Sequence, residues 1–153
     1  MPGNTALSLT TLTVSSISER LNASGSTGPQ GSYVVTLDYS TGSVFYLNPS
    51  PALTANFTVN IINLGSAPTG PPYPSQTLAL IYNNTGSSHK YCGTVNAYTG
   101  PNTGPITLTS ATPLYSGGTA PTITSATLIC QIFSIIRGAF ATNYCITNIV
   151  NYA

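Results

Sequence analysis

A chain of 153 residues that is 41% hydrophobic is long enough for one domain with a real core. Glu19, Arg20, Asp38, Lys90 and Arg137 are its only charged residues, 3% of the sequence against roughly 25% in an average soluble protein. This composition argues against a phosphate-neutralising nucleic-acid binder and against a basic lipid-binding surface, and it removes the charge repulsion that keeps soluble monomers apart.

The first residues, Met1 to Leu7, hold no positive stretch and no continuous apolar one, so no signal peptide is expected. No run approaches the roughly 20 apolar residues of a membrane span. Within residues 4 to 17, Leu7 and Leu9 alternate, and Leu12 and Val14 follow after a one-residue slip. These four are the expected contacts of an assembly arm that adds to the edge of a neighbouring subunit, with pairing to the chain's own sheet as the alternative. Ser24 to Gly31 is rich in Gly, Ser and Pro and reads as a linker. The expected organisation is therefore an extended arm and linker over 1–31, then one β-sandwich domain over 32–153.

Strand patterns dominate from there. Tyr33, Val35, Leu37 and Tyr39 alternate onto one face. Ser40 to Ser43 reads as a turn and Val44 to Leu47 as a second strand, which suggests a hairpin. Asn48-Pro49-Ser50-Pro51 ends it. Phe57, Val59 and Ile61 point inward between Asn56, Thr58 and Asn60. Gly65 to Pro74, with four prolines, reads as an irregular loop. Gln76 to Tyr82 places Leu78, Leu80 and Tyr82 on a core face. Tyr91 to Tyr98 is a further strand weakened by Gly93, and Ile106 to Leu108 a short one. Ala126 to Ile136 is apolar on both faces and reads as a central strand covered on two sides. Arg137-Gly138 reads as a turn, and Ala141 to Ile149 as the last strand. Eight or nine strands at these spacings predict an all-β fold, an antiparallel β-sandwich of jelly-roll type. No repeat emerges at 20 to 50 residues.

Catalytic chemistry is not expected. The carboxylates Glu19 and Asp38 lie on different segments, and His89, the single histidine, sits in a polar loop with no nucleophile elbow around it. One His and the scattered Cys92, Cys130 and Cys145 give no metal spacing and no disulfide framework, so no cofactor is implied and the thiols read as small core residues. Sequons at Asn22, Asn56 and Asn83 read as products of an Asn/Thr-rich composition. Ten tyrosines and no tryptophan point to interfaces, since the ring is apolar along its side and polar at its tip. Tyr73, Tyr98 and Tyr115 are the candidates for an interface or a glycan contact.

Five stretches, in order along the chain, carry a family resemblance. Leu21 to Ser24, Val35 to Leu47 and Ala55 to Ile61, followed by the turn Tyr115-Ser116-Gly117-Gly118-Thr119-Ala120-Pro121-Thr122 and the apolar strand Leu128 to Arg137, resemble a module of virion structural proteins from marine tailed phages and related environmental viruses. The Pro-rich loop Gly65 to Pro74 and the cysteines depart from it. The resemblance implies a non-enzymatic fibre, knob, decoration or minor capsid protein. Its expected partners are copies of itself, a trimer among them, and other capsid or tail proteins. The expected location is the virion, assembled in the host cytoplasm. Two other readings stand beside it: a glycan-binding receptor-recognition tip, and a secreted pilus or thread subunit.

Overall fold

The computed structural model describes residues 33–49, 53, 55–66, 75–83, 90–115, 118–120, 123, 128–139 and 142–152, together with the backbone of 21–23. Leu7, Leu9, Leu12, Val14, Tyr73 and His89 lie outside the described residues, as does the expected arm apart from 21–23.

The described residues form ten strands in chain order: β1 Leu21–Ala23, β2 Val34–Asp38, β3 Val44–Leu47, β4 Phe57–Ile62, β5 Ser75–Asn83, β6 Cys92–Tyr98, β7 Pro105–Ile106, β8 Leu114–Tyr115, β9 Leu128–Ala139 and β10 Thr142–Tyr152. In β2, β4 and β5 apolar residues recur at every second position. Val35 and Leu37, Phe57, Val59 and Ile61, and Leu78, Leu80 and Tyr82 are all buried, as their period of two requires. The strands build a six-stranded sheet, ordered β1-β3-β5-β9-β10-β8, and a four-stranded sheet, ordered β2-β4-β6-β7.

The all-β expectation holds; the antiparallel, jelly-roll expectation does not. β1 with β3, β3 with β5, β2 with β4, β4 with β6 and β8 with β10 are parallel pairs, while β5-β9, β9-β10 and β6-β7 are antiparallel. The cause is interleaving. From β1 to β6 the chain changes sheet at every turn, so odd strands collect in one sheet and even strands in the other. Two reversals restore direction, so strand n+2 lies beside strand n and parallel to it. The expected β2–β3 hairpin is instead a crossing between sheets. At its corner the amide of Thr41 donates to Asp38 O (3.0 Å), and the amide and hydroxyl of Ser40 donate to Asp38 Oδ1 (3.0 and 2.6 Å).

The same winding produces a repeat that side-chain identity hides. Val34 aligns with Thr58 and Val44 with Ala79, and Thr58 aligns in turn with Thr94. Each coil contributes its own alternating apolar residues, but no common motif.

The inner faces of both sheets share one core. Phe57 of β4 meets Tyr82 of β5 edge-on, with centroids 5.3 Å apart. Gln131 of β9, fully buried, reaches across to β6: its Oε1 accepts from Cys92 N (2.9 Å), and its Nε2 donates to Cys92 O (3.2 Å) and Thr147 Oγ1 (3.3 Å). Cys92 needs this partner because β4–β6 register shifts beside it, from Phe57↔Cys92 to Thr58↔Thr94. Arg137-Gly138 is not a turn; β9 runs through both to Ala139. Gly138 has φ 78° and its amide donates to Asn143 Oδ1 (3.1 Å), next to the register shift between Thr142 and Tyr144.

Candidate functional site

β9 is central in its sheet, flanked by β5 and β10 over most of its length. Its inward residues Ile129, Gln131, Phe133, Ile135 and Arg137 are buried. Its outward residues Leu128, Cys130, Ile132, Ser134 and Ile136 are only half-buried. The strand that reads as covered on two sides is covered on one by the described residues.

Register extends this outward face across the sheet. Tyr46, Ile81, Cys130 and Val150 align across β3, β5, β9 and β10 as one unbroken apolar row. A second row runs Thr77, Ser134, Ile146 and Leu114, and a third joins Leu128 to Tyr152. Val150 is 36%, Ile146 42%, Leu114 45% and Tyr152 51% exposed. Among the described residues, Arg137 is the one charged residue in these strands, and its side chain is on the inner face.

The outer face of the four-stranded sheet is different. Its aligned rows are Thr36-Asn60-Asn96 and Val34-Thr58-Thr94. Asn96 Nδ2 donates to Asn60 Oδ1 at 2.9 Å. Val34 is its one exposed large apolar side chain among the described residues. One outer face therefore suits water, and the other does not.

No protein-family model, curated protein or solved structure matches this chain.

The described tyrosine candidates occupy built positions. Tyr98 ends β6 and is half-buried. Tyr115 lies in β8, half-buried; its hydroxyl donates to Cys92 O (3.0 Å) and its ring meets Tyr91 edge-on at 6.0 Å. Burial pushes the Tyr115 hydroxyl above the ordinary phenol range. The structure brings neither ring onto the apolar outer face.

Several ionisable groups among the described residues are buried or held by hydrogen bonds. Asp38 is held below the usual carboxylate range by the Ser40 hydroxyl first, then by Asn63 Nδ2 (2.9 Å). Cys92 and Cys145 are buried, and burial pushes both thiols up, Cys145 to about 12. Cys130 is shifted the same way by burial, yet it stands on the outward face. Arg137 is 3% exposed and donates to the carbonyls of Gly65 (2.6 Å), Leu64 (2.9 Å) and Ser66 (3.2 Å). Burial lowers its guanidinium below the ordinary range. It fastens the end of β4 to the end of β9. Among the described residues, no three His, Cys, Asp or Glu side chains gather as a metal site would require.

Sequence reasoning passed over the apolar outer face. The signal was the two-sided apolar character of β9, which is as consistent with cover from outside the chain as with cover from within it.

Proposed function

We propose that this chain is a non-enzymatic structural subunit of a virus particle, a minor capsid, decoration or fibre-type protein that self-associates and docks on other virion proteins. The observation that carries the reading is the contrast between the two outer faces: one polar and hydrogen-bonded, the other an uncharged apolar sheet surface. A surface of that kind is stable in water when another molecule covers it. The scarcity of charge supports the same reading, because a subunit packed among its neighbours has no need of repulsion. The resemblance of the Val35 to Leu47 and Ala55 to Ile61 stretches to virion modules supports a virus particle, assembled in the host cytoplasm, as that assembly.

The test is fractionation. An antibody raised against the purified chain is applied across a density gradient of lysate from the producing culture. Signal in the band that holds nuclease-protected nucleic acid is expected. Signal confined to soluble, membrane or surface-filament fractions refutes the virion assignment.

A further inference from the structure

We infer that the outer face of the six-stranded sheet is a homotypic interface, whose occupant is the same face of a second copy of this chain. The inference rests on the reading of the chain as an assembly subunit and names the partner of that surface.

Dimensions come first. Strands lie about 4.8 Å apart and rise about 3.3 Å per residue, so a face from β3 to β8 in width and along β10 in length measures about 20 Å by 35 Å. Allowing for the short β3 and β8 leaves about 600 Å² per copy, or about 1,200 Å² for two, above the roughly 1,000 Å² that a specific interface needs. A single extended segment, such as residues 4 to 17, is one strand wide, about 5 Å. It would leave most of the face open. A second sheet of equal width covers it, at the roughly 10 Å spacing of stacked sheets.

Chemistry comes second. The rows Tyr46-Ile81-Cys130-Val150 and Leu128-Tyr152 carry no charge to repel an identical face and none that calls for a complementary one. Their mix of large (Tyr46, Leu128, Tyr152) and smaller (Ile81, Cys130, Val150) side chains can interdigitate as the inner faces of a sandwich do. Ser75, Thr77, Asn83, Ser134 and Asn148 are polar exceptions; Thr77 and Ser134 satisfy each other through their hydroxyls at 3.1 Å. A twofold axis through the face makes the contact self-complementary and closed.

Cys130 is a built-in reporter. It stands on the outer face, one row in from the edge formed by Leu128 and Tyr152, while Cys92 and Cys145 are buried in the core. The experiment uses the full-length chain, with sedimentation equilibrium for mass and a maleimide probe for thiol access. Wild type is expected to self-associate, with Cys130 labelling slowing as concentration rises. Val150→Glu and Ile146→Lys each force an unpaired charge into the contact. Each is expected to weaken association about 100-fold or more and to restore fast Cys130 labelling at all concentrations. Circular dichroism checks that both remain folded, and Thr36→Lys on the polar face is the matched control.

A wild type whose Cys130 labels as fast as that of Val150→Glu at every concentration overturns the inference. Wild type that assembles, with Val150→Glu and Ile146→Lys assembling equally well, also overturns it, while the subunit reading stands. A particle band without the antigen removes the virion reading and leaves the homotypic contact to be judged by its own masses.

Discussion

Replacing Gln131 tests how the two sheets are joined. Its amide is fully buried and supplies the partner of Cys92 N–H, at the point where the β4–β6 ladder slips. In Gln131→Leu the volume is nearly kept and that amide is orphaned, at a cost of about 1–3 kcal/mol. The other two groups keep partners: Tyr115 still donates to Cys92 O, and Thr147 Oγ1 still donates to Ile132 O (2.8 Å). The expected loss is therefore about 2 kcal/mol. Gln131→Glu keeps the acceptor but sets a second oxygen where Nε2 faces Cys92 O (3.2 Å). That oxygen is tolerated when protonated and donating, so the folded state raises the carboxyl pKa. Above about pH 4.3 the unfolded chain has released a proton the folded chain retains, and stability falls with rising pH by about 1.4 kcal/mol per unit. Urea unfolding followed by far-ultraviolet circular dichroism, from pH 4 to 7, reads both effects. The Glu variant is expected to lie within about 1 kcal/mol of wild type at the acid end and about 3 kcal/mol below it at neutrality. A Leu variant as stable as wild type, or a Glu variant with no extra pH slope, would refute the account.

Two further outcomes follow from the remaining buried or tethered charges. Arg137→Met removes three bonds to the carbonyls of Leu64, Gly65 and Ser66; a loss of about 2 kcal/mol is expected, much of it recovered from a larger gross sum because Gly65 and Ser66 are exposed to water. Hydrogen exchange at the Gly65 amide, which donates to Thr99 O (2.9 Å), should quicken, and unchanged protection there would contradict the fastening role. Asp38 has a depressed folded pKa, so its contribution is complete above the unfolded value of about 3.9 and is lost as pH falls through the folded one. Asp38→Asn should flatten the acid limb of a plot of urea midpoint against pH; a limb as steep as that of wild type would show that the Ser40 and Asn63 bonds do not stabilise the ionised form.

Which side chains face the core was legible; which strands touch was not. Alternation placed Val35, Leu37, Phe57, Val59, Ile61, Leu78, Leu80 and Tyr82 inward, and all are buried. A period of two assigns a face and says nothing about the neighbour, because a hairpin and a sheet-changing corner leave the same pattern on both strands. The turn at Ser40 to Ser43 was visible from composition, but its direction depends on Tyr39 N bonding to Ile62 O (3.1 Å), a residue 23 positions away. Gly138 misled for a related reason: glycine marks both turns and bulges, and only the pairing of Ala139 with Thr142 separates them. Of the candidate tyrosines, Tyr98 closes β6 and Tyr115 lies in β8.

Interleaving also explains why the apolar face escapes a reading made segment by segment. The row Tyr46-Ile81-Cys130-Val150 draws one residue from each of four strands, of which only β9 and β10 follow each other directly in the chain. No one segment looks like a binding motif. Val44 to Leu47 and Gln76 to Tyr82 look like ordinary core strands, with their partners in the row passing for the second face of a buried sheet. Two-sided apolar strands belong to sheets covered on both sides. Here the four-stranded sheet covers one side with Val35, Val59 and their neighbours, and its own far side is given to Thr and Asn. A chain that needed only to stay dissolved would carry that polar chemistry on both outer faces. Spending it on one face alone makes the apolar side the place where the next molecule is met, and makes a single charge at Val150 or Ile146 the most economical way to keep two copies apart.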